Sequence, residues 1–237
     1  MKALILSDIH ANIHALRTIW EHEQDSDAVY CTGDLVDYGP SPREVIAWVR
    51  EHHVVCTQGN HDAWVAMTYR NGLFPHTLPP DEREWRHHNA GLLQEHEITS
   101  LEGLPPAIEF ELDGLRYGMT HLYADYSIIT SVHAYRVFCA ATFGHNEPIE
   151  RLIMGHTHRQ VVYYLRDDLL WLNPGSVSYR RSDDPDQTAH YATITDGRIA
   201  LKQLVYDHSA VFHKVAQVAL KESESAVTRW FFGSRTS

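Results

Sequence analysis

The sequence predicts an α/β fold in which two β-sheets pack face to face and helices cover their outer surfaces. In the first third of the chain, short apolar runs alternate with amphipathic helical stretches, an order typical of parallel strands joined by right-handed crossovers. From Ile108 onward most segments are strand-like. The turn pairs Asp113-Gly114 and Asp196-Gly197 separate neighbouring runs, as β-hairpins require.

The predicted elements alternate at first and then become mainly strands. Asn12–Glu23 and Pro42–Glu51 are predicted helices, and Ser41 with Glu44 predicts a capping box at the start of the second helix. The predicted strands are short apolar runs bounded by turn residues: Ala3–Leu6, Ala28–Thr32, Val54–Thr57, Ile108–Leu112, Leu115–Met119, Leu152–Met154, Val161–Leu165, Leu169–Leu172, Tyr191–Thr195 and Ile199–Val205.

A single domain spanning residues 1–237 is the expected organisation, because the chain is 43% hydrophobic and has no linker-like or low-complexity stretch. Residues near 67–106 form a predicted helical insertion, with Asp81–Glu97 as its clearest helix. A C-terminal amphipathic helix is predicted near 207–230. Four tryptophans are expected to lie in the core: Trp48, Trp64, Trp85 and Trp171.

Composition and charge argue against several classes of protein. The formal net charge of −11 disfavours general nucleic-acid binding, which needs basic surface to neutralise phosphates. The longest apolar runs are far shorter than the ~18 residues of a membrane span, and the N-terminus lacks the pattern of a secretion signal. Cys31, Cys56 and Cys139 lie in apolar segments and are expected to be buried free thiols. We therefore expect a cytoplasmic protein.

Polar motifs follow the first two predicted strands. Asp8 and His10 come directly after the first, and residues two apart in an extended chain point the same way. Both can therefore reach one cation, although an ordinary strand-to-helix loop explains this pair alone equally well. Asp34 follows the second strand next to Gly33, where a carboxylate suits a bridge between two metals. Asp37, three residues on, fits the cap of the next helix better.

Three further motifs complete the pattern. Asn60 follows the third strand and offers a carbonyl oxygen to a hard cation, and His61 beside it is a candidate general acid. His121 follows a late strand, and His156 and His158 follow another with the same two-residue spacing as the first motif. Open α/β sheets place ligands at the carboxyl ends of strands, so five such clusters together predict a metal site.

These motifs resemble those of the calcineurin-like metallophosphoesterases, whose pattern is D-x-H, G-D-x-x-D, G-N-H-D/E, a lone His and G-H-x-H. The sequence contains all five in order, as DIH, GDLVD, GNHD, TH and GHTH. The resemblance covers roughly residues 1–178, including SDIHAN near the start and NPGSV at 173–177, and is closest to the compact bacterial and archaeal phosphodiesterases. It implies a double β-sandwich flanked by helices, in four αββα layers.

The resemblance also implies a role for each motif residue. The first metal would be bound by Asp8, His10 and His158, and the second by Asn60, His121 and His156, with Asp34 bridging the two. His61 would donate a proton to the leaving-group oxygen or stabilise the transition state, with Asp62 supporting it. Nitrogen and oxygen ligands without thiolate suit two divalent transition metals, Mn²⁺ first, with Fe or Zn²⁺ as alternatives.

The sequence departs from the phosphoprotein phosphatases of this family at Tyr38, where those enzymes have an arginine that holds the substrate phosphate. A tyrosine offers one hydrogen bond and no charge. This substitution favours phosphodiesters or nucleotide-type esters over phosphoproteins. Other candidate substrate contacts are His133, in the predicted loop of residues 125–135, and Arg180, just after NPGSV.

The predicted function is hydrolysis of a small phosphate ester by a binuclear metal site. One alternative is a non-catalytic scaffold that binds a protein partner, but such relatives typically lose the histidine at the position of His61. The same site also suits a dinucleoside-polyphosphate hydrolase or a phosphoprotein phosphatase. We expect neither membrane insertion nor general nucleic-acid binding, and a homo-oligomer is left open.

Overall fold

The computed structural model describes residues 1–124, 126–178 and 187–232 and confirms the two-sheet fold. The strands are β1 (Lys2–Leu6), β2 (Ala28–Cys31), β3 (Val55–Cys56), β4 (Ala107–Leu112), β5 (Leu115–Thr120), β6 (Arg151–Ile153), β7 (Gln160–Arg166), β8 (Leu169–Pro174), β9 (Ala189–Thr195) and β10 (Arg198–Leu204). The α-helices are α1 (Ile13–Glu23), α2 (Pro42–Glu51), α3 (Asn60–Arg70), α4 (Trp85–Leu92), α5 (Glu95–Glu102), α6 (Val132–Phe143), α7 (His208–Val215) and α8 (Glu222–Phe232).

Each sheet combines three parallel strands with two strands that pair in antiparallel fashion. The first sheet has the order β10-β9-β1-β2-β3, in which β1, β2 and β3 are parallel. The second has the order β4-β5-β6-β8-β7, in which β5, β6 and β8 are parallel. The carboxyl ends of parallel strands lie at one edge of a sheet, so each sheet directs the loops after its three parallel strands to a common edge.

Three apolar clusters separate four layers. The central cluster lies between the sheets and contains Ile5, Tyr117 and Leu172, all completely buried. A second cluster packs α1 and neighbouring helices against the first sheet, through residues such as Leu16. A third packs α6 against the second sheet through Tyr135. The layers are therefore helices, sheet, sheet and helix, which is the predicted αββα order.

The helical regions differ from the sequence prediction in three places. The predicted helix Asp81–Glu97 is divided: Pro80–Glu82 is a 3₁₀ turn, and α4 ends before Gln94, whose amide donates to Glu97 to start α5. The predicted C-terminal helix is two helices, α7 and α8. Helix α6 begins at Val132, so the last four residues of the predicted loop of residues 125–135 are helical, and its apolar side chains pack against the second sheet.

Local details also differ. The Ser41 side chain does not cap α2; its hydroxyl accepts a hydrogen bond from Lys214 Nζ at 2.8 Å, so the capping-box prediction is wrong. Trp48, Trp85 and Trp171 are buried as predicted, whereas Trp64 is 42% exposed. All three cysteines are buried free thiols. Within the described ranges, every helix is too short or too polar to span a membrane.

We predict that Leu172→Ala will lower the free energy of unfolding by about 2–5 kcal/mol, because it opens a cavity between the two sheets. Val205→Ala is the matched control, since Val205 is 75% exposed and its truncation should change stability by less than about 0.5 kcal/mol. Urea denaturation of both variants measures the difference. Equal losses would show that the interface between the sheets is not the main core.

Candidate metal centre

The predicted ligands converge where the carboxyl ends of the two sheets meet. The structure forms two groups whose ligand atoms lie within 4.8 Å of one another: Asp8, His10 and His158 in the first, and Asp34, His121 and His156 in the second. Asn60 joins the second group. Its Oδ1 lies 3.0 Å from both His121 Nε2 and His156 Nδ1. The two groups contain all seven residues that the motifs predicted as ligands.

The donor atoms of the first group face each other in a buried space. His158 Nε2 lies 3.1 Å from Asp8 Oδ1 and 3.3 Å from His10 Nε2. Burial lowers the pKa of His10 to about 3, so its imidazole is neutral at physiological pH. A neutral imidazole beside a carboxylate is a typical ligand pair for a divalent transition metal, and the first group fits such a cation.

The second group also fits a cation. His121 Nδ1 lies 2.9 Å from the carbonyl oxygen of Thr32, which can only accept, so this nitrogen holds the proton in the neutral ring. The lone pair on Nε2 then faces Asn60 Oδ1 and Asp34 Oδ2, the latter at 3.1 Å. These three acceptor atoms face one another, so a positive charge is needed between them. Burial lowers the pKa of His121, but the Asp34 carboxylate outweighs it and raises the value to about 9, so when no metal is bound a proton on Nε2 supplies this positive charge.

Five of the ligands occupy a backbone conformation that ordinary side chains rarely adopt. Asp8, His10, Asp34, His156 and His158 all have φ between 47° and 64°. This left-handed region is disfavoured for residues with a Cβ and costs of order 1–3 kcal/mol each when the surrounding structure enforces it. The loops after β1, β2 and β6 are therefore bent to direct their side chains into the centre.

Two glycines allow the loops of the GNHD and GHTH motifs to lie close to the loops that follow β2 and β1. A Cβ on Gly59 would lie 2.0 Å from Asp34 Oδ1, and a Cβ on Gly155 would lie 2.0 Å from Ser7 Oγ and 2.8 Å from Asp8 Oδ2. Real Cβ atoms do not approach neighbours at such distances. The glycines of the GNHD and GHTH motifs are therefore required for space.

The segment Asn173–Val177 holds the motif loops in place. Asn173 Nδ2 donates to the carbonyl oxygen of Gly155 at 2.6 Å, and Ser176 Oγ donates to the carbonyl oxygen of Asp8 at 2.8 Å. One short segment thus contacts loops from both sheets. The NPGSV motif has a structural role at the site rather than a ligand role.

His61 is held by Asp37, not by its sequence neighbour Asp62. His61 Nδ1 lies 2.7 Å from Asp37 Oδ2 in a buried contact. The His61 ring packs edge-on against His10 at a centroid distance of 5.1 Å. Sequence reasoning missed this role of Asp37, although it is the second aspartate of the GDLVD motif.

Asp62 supports the site through the backbone. Its carboxylate accepts hydrogen bonds from the amides of Asp34, Leu35 and Gly59 at 2.8–3.0 Å. These contacts fix the loop after β2 against the start of α3. The predicted support of His61 by Asp62 is therefore indirect: Asp62 shapes the loop that includes Asp37.

The helical insertion contributes one residue to the same loop. Asn89, on α4, accepts a hydrogen bond from the Asp37 amide at 3.1 Å and donates to the carbonyl oxygen of Gly39 at 3.0 Å. The side chain is completely buried. Asn89 was not predicted, because an asparagine within a helical pattern gives no sign of a distant partner.

The three candidate substrate contacts have different positions. The Tyr38 ring lies beside the centre, 5.3 Å from the His10 ring and 4.9 Å from the His61 ring. His133 is exposed on the first turn of α6 rather than in a loop. Arg180 lies outside the described residues. Trp64, also exposed, packs edge-on against His61 at 4.7 Å.

The comparisons with known proteins agree with this geometry. Residues 1–197 match the family model described as the calcineurin-like phosphoesterase superfamily domain. A metallophosphoesterase from Sphaerobacter thermophilus superposes with a TM-score of 0.73 at 24% identity, covering 96% of this chain and 98% of the other. An uncharacterised protein of Methanocaldococcus jannaschii, MJ0912, is 24% identical over 92% of this chain and 93% of its own length.

A more local similarity involves symmetrical bis(5′-nucleosyl)-tetraphosphatases. A symmetrical bis(5′-nucleosyl)-tetraphosphatase from Baumannia cicadellinicola is 35% identical over 88 residues, which is 33% of this chain and 31% of the relative. The family model covers most of the chain, and the two ligand groups are in place. The chain is a member of the calcineurin-like phosphoesterase superfamily.

We predict that Asp37→Asn will shift the basic limb of the kcat/KM pH profile to lower pH. Burial lowers the pKa of His61, but the hydrogen bond that its Nδ1 donates to Asp37, with the nearby Asp34 charge, outweighs it and raises the pKa above its ordinary value. Without the Asp37 carboxylate the imidazolium loses its proton at lower pH. Asp81→Asn, at an exposed position, is the control for a lost charge. An unchanged profile in Asp37→Asn would contradict the assigned contact.

Proposed function

We propose that this protein is a binuclear metal-dependent phosphoesterase that hydrolyses phosphodiesters or nucleotide-type phosphate esters. The principal support is the pair of adjacent ligand groups, with Asp34 of the second group as the proposed bridging ligand and His61 packed against His10 of the first. Two divalent cations would outweigh the charges of Asp8 and Asp34. The site would therefore attract phosphate even though the whole chain has a formal net charge of −11.

The donor set supports Mn²⁺ first, with Fe or Zn²⁺ as alternatives, because it combines imidazoles, carboxylates and one amide oxygen without thiolate. When bound, such cations supply Lewis acidity toward water and phosphoryl oxygens. The chain itself orients the ligands through the carbonyl oxygens of Thr32 and Val36, which lie 2.9 Å from His121 Nδ1 and 3.4 Å from His10 Nδ1.

His61 is the proposed proton donor. With Nδ1 directed to Asp37, the ring's other nitrogen is the one able to donate to the leaving oxygen. The raised pKa of His61, caused by Asp37 and Asp34 against the opposing effect of burial, favours the protonated form that a general acid needs. This pairing also disfavours the scaffold alternative, which has no need of an oriented imidazolium.

Tyr38 supports diesters as the preferred substrates. Its ring lies against His10 and His61, at the position where phosphoprotein phosphatases have an arginine. A phosphomonoester has close to two negative charges near neutral pH and gains more from a guanidinium than a diester does. The local similarity to tetraphosphatases makes a dinucleoside polyphosphate the second candidate. Its phosphate chain also has an organic group, a nucleoside, at each end.

We predict two metals per chain and loss of activity on chelation. His61→Gln should lower turnover of a diester with a poor leaving group by about 10²–10⁴, with metal content intact, because general acid catalysis is lost. Asp34→Asn should lose metal and activity together. Elemental analysis and steady-state rates measure both, with the exposed His96→Gln as the control. Wild-type rates in both His61→Gln and Asp34→Asn would show that the reaction takes place at a different site.

We also predict that the wild-type enzyme prefers an aryl diester to the matched monoester, and that Tyr38→Arg moves the kcat/KM ratio toward the monoester. Charged hydrogen bonds are worth roughly 1.5–3 kcal/mol, so the expected shift is about ten- to a hundredfold. Tyr38→Phe is the control that removes only the hydroxyl. A wild-type preference for the monoester would show that Tyr38 does not determine the choice.

A further inference from the structure

A cavity of about 430 Å³ opens beside the second ligand group. Its volume falls within the range of ligand pockets in proteins, ~300–1,000 Å³. We call it the His156 cavity. Residues on its walls include Tyr123, Tyr126, Ile128, His156, Tyr163 and Trp171.

The walls of the His156 cavity present flat aromatic surfaces. The Tyr126 ring is stacked on His156 at a centroid distance of 5.1 Å and an interplanar angle of 24°. Tyr163 is stacked on Trp171 at 5.5 Å and 16°. Tyr126 and Ile128 are 64% and 55% exposed, an unusual setting for such apolar side chains next to a polar centre. These surfaces suit a flat apolar group.

The loop that forms one wall is fixed at both ends. Tyr123 packs edge-on against Phe138 of α6 at 5.0 Å. Farther along, the carbonyl oxygen of Ile129 accepts a hydrogen bond from Trp171 Nε1 at 2.8 Å. The loop is thus tied to α6 and to β8.

The cavity and the proton donor lie beside different ligand groups. His61 packs against His10 of the first group and against Tyr38, whereas the cavity borders His156 of the second group. In hydrolysis, water forms the new P–O bond, the bond to the leaving oxygen breaks, and that oxygen receives a proton. The leaving substituent therefore belongs beside His61. A second substituent, which stays on phosphorus, needs a different place.

We propose that the His156 cavity binds the retained substituent of a phosphodiester, and that this substituent contains a flat aromatic ring of nucleobase size. The proposal rests on the proposed function and deepens it. A monoester has no retained substituent and would leave the cavity unused. Stacking on Tyr126 and contact with Tyr163 would recognise the ring, and Arg159 also borders the cavity.

The kinetic test keeps the leaving group constant. Thymidine 5′-(p-nitrophenyl phosphate) and methyl p-nitrophenyl phosphate both release p-nitrophenol, so only the retained substituent differs. We expect kcat/KM for the thymidine ester to exceed that for the methyl ester by about tenfold or more, the size of a base-stacking contact. Tyr126→Ala should reduce this ratio severalfold. Tyr164→Ala, which removes a tyrosine of 62% exposure elsewhere on the surface, should not.

A binding test separates this proposal from the proposed function. Calorimetry compares phenylphosphonate with methylphosphonate on the Mn²⁺-loaded protein, since phenylphosphonate mimics the product that keeps its substituent. We expect tighter binding of phenylphosphonate, lost in Tyr126→Ala and kept in Tyr164→Ala. If no diester is hydrolysed but this preference holds, the proposed function fails, while the assignment of the cavity as a site for an aromatic ring linked to a phosphoryl group stands. Equal affinities, or a thymidine-to-methyl ratio near one in an active enzyme, overturn the cavity assignment.

Discussion

The contact between Asp8 and the amide of His156 joins the two sheets at the candidate metal centre. The His156 amide lies 3.2 Å and 3.1 Å from the two oxygens of the Asp8 carboxylate, so a loop of the second sheet is fixed to a ligand of the first. Close by, the Gly155 amide donates to the carbonyl oxygen of His121 at 2.8 Å. The spacing between the two ligand groups, and hence any two-metal chemistry, depends on this junction.

Much of the fold was predictable from local patterns. The early strands are continuous apolar runs because both faces of the first sheet are covered, and helix α2 begins and ends at the predicted residues. The Asp113-Gly114 and Asp196-Gly197 pairs form the β4–β5 and β9–β10 turns, with positive φ at all four residues. The convergence of the candidate ligands was predictable for a related reason: each follows a strand, and strand ends meet at a sheet edge.

The missed features depend on contacts between distant parts of the chain. Helix α6 has too few polar residues for a clear amphipathic pattern, and its position depends on the second sheet beneath it. Asp37 was read as a helix cap, because its contact with His61 exists only after α3 packs against the loop that follows β2. The sequence at Ser41 suits a capping box, yet the Ser41 hydroxyl accepts a hydrogen bond from Lys214 in the C-terminal region. Local propensity contains no information on such partners.

At five candidate ligands the left-handed backbone lowers the stability of the fold, while the side chain at the same position is needed for metal binding. Glycine is the residue that this conformation favours, but glycine has no side chain to bind a metal. The chain therefore keeps aspartate and histidine at positions where they strain the fold, and the rest of the structure compensates. A relative that no longer bound metal would be released from this conflict. Drift of these positions toward glycine would then mark lost metal chemistry even where the fold is unchanged.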